Sequence, residues 1–231
     1  MVDTKAVLIG ALLAAGLTYG GLVGVELIVT DSEIDVPSVP LAGEATVEGT
    51  TYHLDRLGRP TVVGEVYNGH SYPVGNATVT VTYYRDGEVV GEAVGGVLGE
   101  PIAPGDAAPF DIHADTSEEV DDYNVSLTTE RTTASDGEFS VDAAVADSSQ
   151  NRISVSGTVR NEGRESRAAE IVVAFYDEED NVIGVRTTRP NGDVSPGDSV
   201  PFTVTFRTVG DVPSLAQEFD DFDARAVAVD S

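Results

Sequence analysis

The side chains that most often do chemistry are few here. The chain has no cysteine and three histidines, His53, His70 and His113. A thiolate zinc centre is therefore impossible, HExxH is absent, and the histidines share no ligand spacing. No G-x-S-x-G is present to carry a histidine-assisted serine nucleophile. Carboxylates number 40 against 13 basic residues, so paired Asp and Glu single out no acid/base couple. The densest run, Asp177-Glu178-Glu179-Asp180, falls where a hairpin should turn. It lacks the D-x-[DN]-x-[DN]-G spacing of a calcium loop and reads as a solvated turn. No catalytic residue, cofactor or metal ligand is expected.

Three other groups point to contact with partners. Arg152, Arg160, Arg164 and Arg167 fall within 16 residues and could dock an acidic partner or a sulfated glycan. The plainer reading is that they pair with surrounding acids, those of the other half of the chain included, and fix an interdomain angle. Asn76-Ala-Thr and Asn124-Val-Ser are N-glycosylation sequons. Gly16, Gly20 and Gly24, spaced four apart in an apolar run, would form a ridge where two membrane helices approach closely, giving a homodimer.

These groups are positioned by elements that occur twice. APGDAAPFDI (103–112) returns as SPGDSVPFTV (195–204). Pro104 and Pro196 set the first turn angle, and Gly105 and Gly197 supply the positive φ that a type II turn needs next. Upstream, GEVYNG (64–69) answers GTVRNEG (157–163), and ATVTVTYYRDGEVVG (77–91) answers AEIVVAFYDEEDNVIG (169–184). Downstream, DDYNVSL (121–127) answers DDFDARA (220–226). Such a period is domain-sized, too long for a solenoid unit. It predicts two homologous domains, 44–131 and 136–231, joined by a linker at 132–135.

Within each repeat short apolar/polar alternations are punctuated by Gly, Pro and Asn/Asp. Val79, Val81 and Tyr83 project one way, as do Ile171, Val173 and Phe175; Asp86-Gly87 and Asp180-Asn181 read as hairpin turns. The expected fold class is all-β: two tandem immunoglobulin/fibronectin-like antiparallel β-sandwiches after one N-terminal transmembrane helix. Tyr123 is placed to act as a tyrosine corner, although its counterpart Phe222 lacks the hydroxyl. The pattern G-x-V-x-N, an apolar strand ending in aromatic-Tyr-Asp (VAFYD, 173–177), a hairpin and PG-x-x-x-PF resembles the FxLYD domain of prokaryotic envelope proteins. The first copy, VTYYR (81–85), departs at the aspartate. The resemblance implies a small extracytoplasmic β-sandwich, often next to a membrane anchor, with no established biochemical activity.

Net charge is −27, spread evenly: −12 over residues 44–131 (16 acidic, 4 Arg) and −11 over 136–231 (19 acidic, 8 Arg). Such a field opposes compaction in dilute buffer and is screened in concentrated salt. With a single lysine, Lys5, the composition resembles that of halophilic archaeal proteins. It also excludes nucleic acid as a partner.

Residues 6–29, AVLIGALLAAGLTYGGLVGVELIV, are long enough to span a bilayer. Lys5 before the run and DSEID (31–35) after it orient the N-terminus inward. The expectation is an uncleaved signal anchor over 1–30 and a proline-stiffened stalk over 31–43, with a cleaved signal peptide or a prepilin-like leader as alternatives. The protein then reads as a single-pass cell-membrane protein with both domains outside. Its role is non-catalytic, as a binder of an envelope protein or glycan, a spacer or an accessory subunit. The alternative is a subunit of a pilus or surface filament with a processed leader.

Overall fold

The computed structural model describes residues 27–28, 43–55, 57–116, 119–133, 138–149, 152–207 and 218–229. The proposed glycine ridge, most of the apolar run and the stalk lie outside these residues. Of the run, only β1 (Leu27–Ile28) is described, paired antiparallel with Asn124 and Val125. Among the described residues no helix is long and apolar enough to cross a membrane.

Twelve further strands follow. The first six are β2 (Ala45–Leu54), β3 (Pro60–Asn68), β4 (Val74–Arg85), β5 (Glu88–Gly96), β6 (Ala107–His113) and β7 (Asp122–Arg131). They form two antiparallel sheets, β2-β3-β6 and β1-β7-β4-β5. The second six repeat the scheme: β8 (Phe139–Ser149), β9 (Arg152–Asn161), β10 (Ala168–Tyr176), β11 (Val182–Thr188), β12 (Ser199–Arg207) and β13 (Asp221–Val229). Their sheets are β8-β9-β12 and β11-β10-β13. The all-β, antiparallel sandwich expectation is met.

Each sandwich has its own core. Val62, Val79, Val81, Tyr83 and Phe110 anchor the first; Ile153, Ile171, Val173, Phe175 and Phe206 anchor the second. The repeated motif residues now have reasons. Gly64 sits opposite Phe110 and Gly157 opposite Phe202 in the β3–β6 and β9–β12 ladders. At Gly64 a Cβ would lie 2.8 Å from Cζ of Phe110, and at Gly157 2.2 Å from Asp142 O on β8, so the glycine makes room for the facing aromatic in the first copy and for the adjacent strand in the second.

The asparagine of that motif is fully buried in both copies, Asn68 and Asn161. Asn68 Nδ2 donates to the carbonyls of Tyr72 (3.0 Å) and Ile102 (2.9 Å), and its Oδ1 accepts from His70 N–H. Asn161 Nδ2 donates to Glu165 and Val194 carbonyls, both at 2.7 Å, and its Oδ1 accepts from Gly163 N–H. The PGD turn closes on the same residue, since Gly105 N–H donates to Asn68 O and Gly197 N–H to Asn161 O, each at 2.8 Å. Gly105 and Gly197 hold φ of 82° and 78°, as the turn requires. Asp86 (φ 52°) and Gly87 (φ 78°) close the β4–β5 hairpin with the two positive φ values of a type I′ turn.

Tyr123 makes no corner of the expected kind. Its hydroxyl bonds the Thr50 hydroxyl at 3.0 Å, bridging the two sheets. The buried tyrosine that does reach a backbone carbonyl is Tyr83, whose O–H donates to Ile112 O at 3.1 Å.

Candidate functional site

The two sandwiches meet at a junction built from β-sheet alternation. In β3, Val62 and Val66 point into the first core, so Val63 between them points out of the sandwich. It is nonetheless fully buried, in a cluster with Val172, Val182 and Val185, against which Leu98 and Tyr176 pack. Strand β11 thus lies across the outer face of the β2-β3-β6 sheet. Gly49 (φ 56°) lets the chains close up, because a Cβ there would stand 2.9 Å from Asp180 O.

Beside the valines the junction is polar. The Tyr176 hydroxyl donates to Glu65 Oε1 across it. Arg186 lies 3.9 Å from the Asp111 carboxylate and 4.9 Å from the Phe206 ring centre. The Arg225 guanidinium donates to Ala107 O (2.5 Å) and Pro101 O (3.2 Å). A crevice of about 420 Å³ remains, with Glu65, Asp106, Tyr176, Asp223 and Arg225 on its walls.

The electrostatics follow from this crowding. Burial raises the Glu65 carboxyl above its ordinary range, and Asp223 and Glu48 push the same way, while the Tyr176 hydrogen bond and Arg225 oppose. Burial and the neighbouring carboxylates hold Tyr176 neutral. Burial also lowers His53, aided by Arg186 and opposed by Asp111 and Asp55.

A second concavity, about 980 Å³, lies on the first sandwich and is lined in part by Glu44, His70, Tyr72, Glu100, Glu130 and Arg131. His70, Glu100, Glu130 and Arg131 are engaged within the chain. His70 stacks on Tyr72 at 4.6 Å, and the Arg131 guanidinium sits 4.8 Å from the same ring centre. Glu100 accepts from Ala77 N–H, and Glu130 from Asn76 Nδ2 at 2.8 Å.

The structure separates the two sequons. Asn76 is exposed, with φ 49°, at an irregularity in the β4–β7 ladder. Asn124 is half-buried within β7, between Thr82 and Ile28, and its Oδ1 is buried without a hydrogen-bond partner.

The arginine group does not assemble into one patch. Arg152 and Arg160 stand at opposite ends of β9, about 26 Å apart at strand rise. Arg152 pairs with Asp147, Arg160 with Glu162, and Arg167 with Glu138 and Glu165, all within the second sandwich; Arg164 lies in the β9–β10 loop. Among the described residues the cations at the junction are Arg186 and Arg225, outside that group. Among the described residues no three His, Asp or Glu gather as a metal site. In the acidic run, Asp177 instead accepts from the N–H groups of Glu179 and Asn181, closing the hairpin.

No family model matches the chain, and no curated protein matches it. Solved structures with local likeness include a Bacteroides uniformis β-glucuronidase, 13% identical over 64% of this chain and 21% of that one, TM-score 0.25. A putative β-galactosidase from Bacteroides fragilis is 11% identical over 74% and 32%, TM-score 0.26. Red sea bream transglutaminase is 11% identical over 80% and 32%, TM-score 0.25. This chain therefore spans a third or less of each. At such TM-scores the likeness carries no argument about activity or ligand, and the fold rests on the sheets described above.

Proposed function

We propose that this protein is a membrane-anchored, extracytoplasmic module whose two FxLYD-type sandwiches act without catalysis, as a binder, spacer or accessory subunit in the cell envelope. The observation that carries the reading is the junction. By burying Val63, Val172, Val182 and Val185 between the repeats, the chain joins two sandwiches into one body rather than leaving them as beads on a linker. A joined body suits presentation of a surface at a set distance. His70, Glu100, Glu130 and Arg131 of the larger concavity serve internal contacts, which favours a structural over a chemical role for it. The apolar run supplies the anchor in this reading, through its residues before β1, since Leu27 and Ile28 pair with β7.

The test is the intact mass of the native protein in the membrane fraction and the medium, with protease shaving of whole cells. A full-length, membrane-bound, shaving-sensitive chain supports the reading. A soluble product lacking residues 6–29 overturns the anchor. A mature chain beginning at Ala6 or Val7 would move the protein to the filament class.

A further inference from the structure

We propose that the junction is a salt-gated clasp: at molar ionic strength the two sandwiches dock through β11, and at low ionic strength they part while each stays folded. Two opposed features of the junction carry this. Its apolar part is small, four buried valines flanked by Leu98 and Tyr176, whereas each sandwich has a separate and larger core. Its polar part is crowded with like charge.

From the first sandwich come Glu48 on β2, Glu65 on β3, Asp111 on β6 and Asp106 in the turn before β6. From the second come Asp221 and Asp223 on β13, which flank Tyr176. The cations among them are Arg186 and Arg225. Beyond the contact, the two halves carry −12 and −11.

Screening decides which feature wins. The Debye length is about 3 Å at 1 M salt and about 30 Å at 0.01 M. In the first case each carboxylate feels only its immediate neighbours, and the valines hold the faces together. In the second the whole charge of one half acts on the other. The motif asparagines each bind loops of their own sandwich, so parting the faces leaves those loops tied down. The apolar cost of opening falls on Val63, Val172, Val182 and Val185 and on the Leu98 and Tyr176 side chains packed against them.

The chain has no cysteine, so Glu88→Cys and Thr203→Cys, at exposed positions on different sandwiches, place a unique spin-label pair on the full-length protein in nanodiscs. The expected distance distribution is narrow at about 2 M salt and broad at about 10 mM, with far-ultraviolet circular dichroism unchanged. Adding E65Q and D223N should move the transition to lower salt, and V63D should leave the distribution broad throughout. A distribution that stays narrow at every salt concentration overturns the clasp, as does broadening that coincides with loss of the circular dichroism signal. Should V63D not fold, the E65Q/D223N shift decides alone, and its absence counts against the proposal.

Discussion

Asn68 and Asn161 hold the same place in the two sandwiches, each fully buried and each tying a loop carbonyl to the start of the PGD turn. Ile102, the carbonyl Asn68 reaches, is bridged to Val74; Val194, reached by Asn161, is bridged to Arg167. One amide therefore closes the end of the sandwich that two loops would otherwise leave open.

Replacing either asparagine with alanine removes three hydrogen bonds at once, two from its Nδ2 to loop carbonyls and one into its Oδ1, and leaves Ile102 O and Val194 O with only the N–H groups of Val74 and Arg167. The expected loss is about 2–4 kcal/mol of stability for that sandwich. Aspartate should do no better, because a carboxylate cannot donate to the two carbonyls. Thermal unfolding in molar salt, where charge repulsion is screened, measures both. Loss of less than 1 kcal/mol, on the order of one ordinary hydrogen bond, would contradict the clamp.

Val89 and Val182 are equivalent positions, facing Tyr84 and Tyr176 across their hairpins. Val89 is 62% exposed and Val182 is 0% exposed. Val182→Ala should cost about 2 kcal/mol, and Val89→Ala no more than about 0.5 kcal/mol. Equal effects would mean that β11 is not covered in solution.

Glu65 links stability to pH. Its folded-state pKa is raised, so the protonated form is favoured in the folded protein. The associated stability is fully present below the unfolded carboxyl value and is lost as pH rises through the raised one. E65Q keeps an acceptor for the Tyr176 hydroxyl and removes the charge facing Asp223, Glu48 and Arg225. At pH 7 it should raise Tm by roughly 2–4 °C, the yield of about 1 kcal/mol in a chain of this size, and the gain should fade toward pH 4. His53 runs the other way: with its pKa lowered, it contributes fully above its unfolded value and loses that contribution as pH falls through the folded one. A gain in E65Q that grew toward acid pH would show that the carboxyl is not the group responsible.

Any N-linked sugar on this chain should sit at Asn76. Its side chain is exposed and bound to exposed Glu130, whereas Asn124 is enclosed within its sheet. Intact mass of N76Q and N124Q proteins from the native host checks this. Sugar lost with N124Q alone would reverse the assignment.

Much of this architecture was legible in the amino-acid order. The repeat, the hairpin turns and the alternation of β4 all carry local signals. In ATVTVTYY the threonines mark a face left to water, and Thr78, Thr80 and Thr82 remain part-exposed. The same rule applied to β10 needed a further step. Ile171, Val173 and Phe175 fill the core as their spacing suggests, but Val172 and Ala174 between them are also buried. An unbroken apolar run in a strand signals two covered faces, and that was the available clue to the junction. The other half of the junction was hidden, since a lone outward Val63 looks like any surface valine. Arg186 and Arg225 carried no signal either, being scattered in sequence and gathered only by folding. Clustering along the chain drew attention instead to Arg152, Arg160, Arg164 and Arg167, whose pairs are local.

The covered face of the first sandwich has an uncovered twin. Where β3 has Val63, β9 has Ser156, bonded to Thr203 at 2.9 Å, and where β10 has Val172, β4 has Thr80. Copying the repeat a third time would therefore not lengthen the object in the same manner. A new sandwich appended after the second would meet hydroxyls already satisfied by one another. An engineer wanting a three-storey version would first have to transplant a valine to position 156. The docking valine is thus written into the first repeat alone, and its place in the second is held by a serine.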